Sequence, residues 1–219
     1  SAEGAAKATA LVEKALAAMG GKEKLAAIKD TVSTGKLVLS MPQGKMEADS
    51  TEEVLYPDRY KMVLKLPMGL ITQSYNAGGA WMSQGAMVQD MPPNMASEVA
   101  KGIPSANGGV GLLLAASNGK AEVQSIDATT VLWKAPEFEA TLGFDAATGR
   151  LVKITMKGMG MGGPAEMQTE FSDFAASEGL TLPAKETILE NGNPAGVRTI
   201  SDRKVNAGVR AEGFAKPAK

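Results

Sequence analysis

Two periods alternate along the chain. The opening stretch, EGAAKATALVEKALAAMGGKEKLAAIK, places Leu11, Val12, Ala15, Leu16 and Met19 at the spacing that paints one face of a helix. Gly20 and Gly21 end that helix, and a second short one is predicted from Lys22 to about Ile28, with Leu25 and Ile28 turned inward. From Thr31 onward the period becomes two. Strands are predicted over 31–41, 45–56, 60–66, 70–76, 80–83, 121–126, 129–134, 138–144, 151–157, 166–174, 181–189 and 197–205. Turn residues separate them: PQG at Pro42, PDR at Pro57, NAGG at Asn76, DAATG at Asp145 and NGNPAG at Asn191.

One region interrupts this antiparallel meander. Between Pro92 and Gly119 the sequence holds two helical segments, Pro93 to Lys101 and Gly109 to Ser117, joined by a glycine-rich hinge. An apolar helical insertion needs a sheet face to cover, and so do the helices at the start. The expected architecture is mainly β with helices: one domain over 1–219, with a helical entry (4–28), a meander (31–206) forming a curved antiparallel sheet or incomplete barrel, and a helical lid (93–117) on its concave face.

Alternation assigns faces. Tyr60, Met62, Leu64 and Leu66 point one way while Lys61 and Lys65 point the other, and Phe138, Ala140, Leu142 and Phe144 oppose Glu137, Glu139 and Thr141. Any half-buried antiparallel sheet shows such alternation, and by itself it favours a filled core over a ligand cavity.

Composition narrows the chemistry. The chain has no histidine and no cysteine, which excludes Ser-His-Asp triads, Cys-His pairs, and imidazole or thiolate zinc sites. Glu52 with Glu53 alternate across a strand, and Glu137 with Glu139 share a polar side, so neither pair calls for acid-base catalysis. A net charge of −1 offers no broad attraction to nucleic acid. A hydrolytic enzyme is therefore not expected, and no cofactor is.

Aromatic residues make up only 5% of the chain, whereas there are 13 methionines, so much of the apolar volume is flexible and polarizable. Four of them lie in MKGMGMGGPAEM: Met156, Met159, Met161 and Met167. Thioethers select Cu(I), so a copper site in this segment is one alternative. The nine methionines elsewhere favour the other reading, a shape-tolerant apolar lining beside a hairpin bent by glycines. The literal G-x-G-x-x-G of Gly158, Gly160 and Gly163 runs into Pro164 and a strand rather than a helix, so it is not a dinucleotide fingerprint.

Within YPDRYKMVLKLPMGLITQSYNAGGAWMSQGAMVQDMP, the order Pro57, Arg59, Tyr60, Pro67, then Gly78 and Gly79 closing on Trp81, resembles the early strands of the periplasmic lipoprotein-carrier (LolA/LolB-like) superfamily. GFDAATGRLVKITM is similar to a later hairpin of that family. GLTLPAKETI and VNAGVRAEGFAKP are similar to the closing strands of outer-membrane lipoprotein-sorting relatives. ALAAMGGKEKLAAIKDTVSTG is similar to their helical entry, including copies appended to insulinase-type peptidases. Tyr56 stands where the carrier has an arginine before the strand-ending proline, and a tyrosine cannot offer the same fork of donors to a lid.

The resemblance implies an extracytoplasmic protein of the bacterial envelope that receives a lipid or a lipid-modified protein. Transient envelope contacts, and possession by a larger parent chain, go with it. The expected ligand lining is Leu37, Leu39, Tyr60, Met62, Leu64, Trp81, Phe138, Leu142, Phe144, Ile154, Met156 and Phe171. The competing reading is a structural or interaction domain of an envelope protein or peptidase whose concavity is filled by its own helices.

Overall fold

The computed structural model describes residues 1–160 and 162–218. Thirteen strands form an antiparallel sheet that does not close into a barrel. The chain divides into two compact units, residues 1–27 with 104–194, and residues 28–103 with 195–219.

In the first unit, α1 (Ala2–Ala18) is capped at its start by the Ser1 hydroxyl, which accepts from the Gly4 N–H at 3.2 Å. Ala8, Val12, Ala15 and Leu16 form its buried stripe. Gly20 and Gly21 take positive φ and end it, and α2 (Lys22–Ala26) follows, ending two residues before the expected Ile28. After α4 (Ala106–Ser117) come β7 (Glu122–Ser125), β8 (Thr130–Lys134), β9 (Glu139–Phe144), β10 (Leu151–Gly160), β11 (Gly163–Ser177) and β12 (Leu180–Glu190), each paired with the next. Helix α1 packs against α4 and β7.

The second unit holds β1 (Asp30–Met41), β2 (Gly44–Leu55), β3 (Arg59–Leu66), β4 (Gly69–Asn76), β5 (Gly79–Gln84) and β6 (Met87–Asp90), together with β13 (Asn193–Val205), most of which lies in this unit beside β1. Helix α3 (Pro93–Gly102) belongs to it as well. The expected lid is thus divided. Its first helix packs in one unit and its second in the other, with the left-handed residues Asn107, Gly108 and Gly109 preceding the regular part of α4.

Two differences from the sequence reading have local causes. Strand β6 lies at the edge of the sheet and is exposed except at Val88, so MVQD carries no apolar-polar alternation to announce it. In the methionine-glycine segment, β10 and β11 continue to Gly160 and Gly163, which pair with each other. Ladder hydrogen bonds need no side chain, so glycine ended the hydrophobic pattern without ending the strands.

Candidate functional site

Register decides which side chains share a face, because directly paired residues of antiparallel strands point to the same side. In the second unit Leu37 pairs with Ala48 and Leu39 with Met46. Met62 pairs with Glu52 and Gln73, Leu64 with Ser50 and Ile71, and Tyr60 with Val54 and Tyr75. Gln73 pairs in turn with Met82, and Tyr75 with Ala80. These residues form one surface, here called the inner face. Helix α3 covers its β4–β5 end, where Ala80, Met91 and Ala96 are buried with Tyr75, Met82 and Val99 against them. Leu37 is buried, whereas Leu39, Tyr60, Met62 and Leu64 are half-buried, as are Met46, Ile71 and Met82.

Trp81 is on the other side. It pairs with Ser74, which pairs with Lys61, and these three define the outer face. The expectation that Trp81 shares a wall with Met62 and Leu64 is therefore corrected: a glycine turn precedes it, and its position in β5 has the parity of Lys61. Its indole N–H donates to the Phe214 carbonyl at 2.8 Å.

The inner face is not wholly apolar. Glu52 and Arg198 form an ion pair of 2.9 Å there, both nearly inaccessible, and the Tyr60 hydroxyl donates to the same carboxylate oxygen at 3.2 Å. Sequence reasoning missed this pair, since Glu52 beside Glu53 shows no partner within its own strand. It also missed Met46, Ile71, Tyr75 and Met82. Ile71, Gln73 and Tyr75 do alternate in LITQSYN, but the polar Gln73 broke the apolar stripe.

The other half of the expected lining lies in the first unit. Leu142 pairs with Ile154, Phe144 with Leu151, and Met156 with Ala140 and Met167, all on one face. Phe171 follows Thr169, the partner of Ile154, at the next same-side position. Phe138 sits just before β9 with its ring centroid 5.0 Å from that of Trp133. Leu142, Phe144, Ile154 and Phe171 are buried, while Phe138 and Met156 are half-buried.

Helix α4 covers this face. The Trp133 indole donates to the Leu112 carbonyl at 3.0 Å, and a Cβ on Gly109 would stand 2.6 Å from Leu151 Cδ2 and 3.0 Å from Ile154 Cδ1. This surface is packed by the protein itself. Met159, paired with Pro164, has the opposite parity from Met156 and Met167 and is exposed; Met161 lies outside the described residues. The described loop sulfurs are thus divided between two faces. Among the described residues no group of three or more His, Cys, Asp or Glu is arranged to hold a metal ion, and no helix is long and apolar enough to cross a membrane.

No family model matches the sequence, and no curated protein matches it. Solved structures match over nearly the whole chain. A domain described as outer membrane lipoprotein-sorting, from Vibrio parahaemolyticus, is 13% identical, covers 96% of this chain and 97% of its own, and has a TM-score of 0.59. A LolA superfamily protein from Nitrosomonas europaea is 14% identical, covering 95% of this chain and 97% of its own, with a TM-score of 0.60. A DUF1329 family protein from Desulfovibrio piger is 10% identical, with the same coverages of 95% and 97% and a TM-score of 0.60. At such identities the likeness is one of fold, and the fold of this chain is that of the LolA/LolB-like lipoprotein carriers.

Proposed function

We propose that this protein binds the aliphatic chain of a lipid, or of a lipid-modified protein, on the inner face of β1–β5, and that it does so without chemical turnover in the extracytoplasmic envelope of a bacterium. The observation that carries the reading is a difference in covering. Leu39, Met62 and Leu64 are half-buried among the half-buried Met46, Ile71 and Met82, whereas Leu142, Phe144, Ile154 and Phe171 are buried. A partly open strip of leucine, isoleucine and methionine suits a flexible hydrocarbon partner, because thioether side chains repack at small cost.

The names of the fold neighbours, lipoprotein-sorting and LolA, agree with such a ligand and with an envelope location. A chain without histidine or cysteine supports binding over catalysis. Affinity would come chiefly from removing ligand carbons from water, about 0.8 kcal/mol per buried CH₂ before the ordering cost is subtracted.

The test is displacement of a fluorescent apolar probe by fatty acids of increasing length, with wild type and Leu64→Glu. Affinity should rise with chain length and collapse in the folded variant, because a carboxylate in that wall is costly to bury. Affinity that is flat with length, or unchanged by Leu64→Glu, would overturn the assignment. Organic extraction and mass spectrometry of the purified protein supply an independent check; a clean extract together with flat affinity would leave the interaction-domain reading.

A further inference from the structure

The outer face of the second unit is crossed by the C-terminal segment, which is pinned from β1 to β6. The N–H groups of Ala207 and Gly208 donate to the Asp30 carboxylate at 2.7 and 3.3 Å. Lys61 Nζ donates to the Gly213 carbonyl at 3.1 Å, pairs with Glu53 at 2.8 Å and stands 5.5 Å from the centre of the Phe214 ring. Phe214 is wholly buried, and its carbonyl accepts from both Ser74 Oγ, at 3.0 Å, and Trp81 Nε1, at 2.8 Å. Lys216 pairs with Asp90 at 2.9 Å.

The pins alternate with the inner-face residues along each strand. Lys61 lies between Tyr60 and Met62, Ser74 between Gln73 and Tyr75, and Trp81 between Ala80 and Met82. Side chains on opposite faces share one backbone, so whatever fixes the strands from behind also fixes the spacing of the wall in front. One buried carbonyl held by donors from β4 and β5 sets the relation of those two strands, and two buried donors lose their partner together if the segment lifts.

We infer that Phe214, Ser74 and Trp81 are positioning residues for the aliphatic site: the C-terminal strap holds β3–β5 in the arrangement that binds the chain, and its release weakens binding. This rests on the inner face being the ligand site. Thermodynamic linkage supplies a consequence that a merely structural strap lacks. If attachment of the strap strengthens ligand binding by some factor, bound ligand must strengthen attachment of the strap by the same factor.

The experiment uses the full chain and hexadecanoic acid. Its affinity is measured for wild type, Phe214→Ala, Phe214→Leu and the double variant Trp81→Phe/Ser74→Ala. Amide hydrogen exchange of residues 206–216 is followed in wild type with and without saturating acid. Phe214→Ala and the double variant should bind about fivefold more weakly or worse, the lower end of ordinary coupling between sites. Phe214→Leu should stay near wild type, and the acid should slow exchange in the strap.

Wild-type affinity in folded strap variants, or strap exchange that ignores saturating acid, overturns the inference. If Phe214→Ala fails to fold, the double variant and the wild-type exchange still decide. Failure of the underlying assignment has a different signature, a wild type that does not bind the acid or a folded Leu64→Glu that binds it equally well, and it would remove both proposals.

Discussion

Arg198 and Glu52 meet at 2.9 Å on the inner face although they stand in different strands and different rows of the register. Arg198 pairs with Leu37, whose other partner is Ala48, and Glu52 pairs with Ser33. Between those rows lies Gly35 opposite Ser50, where the β1–β13 register shifts and the place of a Cβ on Gly35 is taken by the backbone of Thr199 and Ile200. Removing one charge strands the other where water cannot solvate it. Arg198→Met should therefore destabilise the protein by about 3–5 kcal/mol, while Arg198→Met/Glu52→Leu should recover much of that loss. Urea unfolding of the two single variants and the double measures the coupling; additive effects would show that the contact carries no energy.

Asp145 offers a pH-dependent counterpart at the β9–β10 turn. Donation from the Thr148 hydroxyl, then from the Thr148 N–H, holds its carboxyl below the ordinary aspartate value of 3.8. With the folded value lowered, the stabilisation is fully present above the unfolded value and disappears as pH falls through the folded one. NMR titration should place the Asp145 transition below that of a free aspartate, and Thr148→Ala should move it upward.

Gly109 and Gly85 both take positive φ, of 78° and 58°, but only Gly109 has neighbours where a Cβ would go. Gly85→Ala should cost about 1–2 kcal/mol for the left-handed backbone. Gly109→Ala should cost a further 1–3 kcal/mol or so by pushing on Leu151 and Ile154. Chemical denaturation of both variants checks the difference, and equal costs would show that α4 yields readily.

In the first unit, Trp133→Phe keeps a ring beside Phe138 but removes the donor to the Leu112 carbonyl. The loss should be about 1 kcal/mol. It should also raise hydrogen exchange in α4 more than in β10, because the lost bond tethers the helix. Uniform exchange across the unit would show that the tether is not local.

The sequence by itself determined most of the elements, though not the exposed edge strand β6. Period and turn chemistry are local properties, and the stretches 60–66, 70–76 and 181–189 became β3, β4 and β12 within a residue at each end. The faces of Met62 and Leu64 were equally legible, since Lys61 and Lys65 flank them within one strand. Only tertiary structure decided how strands and helices met. Trp81 is apolar and follows a turn, but its side of the sheet depends on the β4–β5 register, which a single strand cannot reveal. Glu52 looks solvated until Arg198, 146 positions away along the chain, is brought onto the same face. Whether an apolar row is covered depends on where helices land: α4 packs on the row of Leu142 and Ile154, and α3 covers one end of the inner face of β1–β5 while Met62 and Leu64 stay half-buried. Hydrophobic pattern records that a face must avoid water, and the same pattern results whether a helix, another strand or a ligand does the covering.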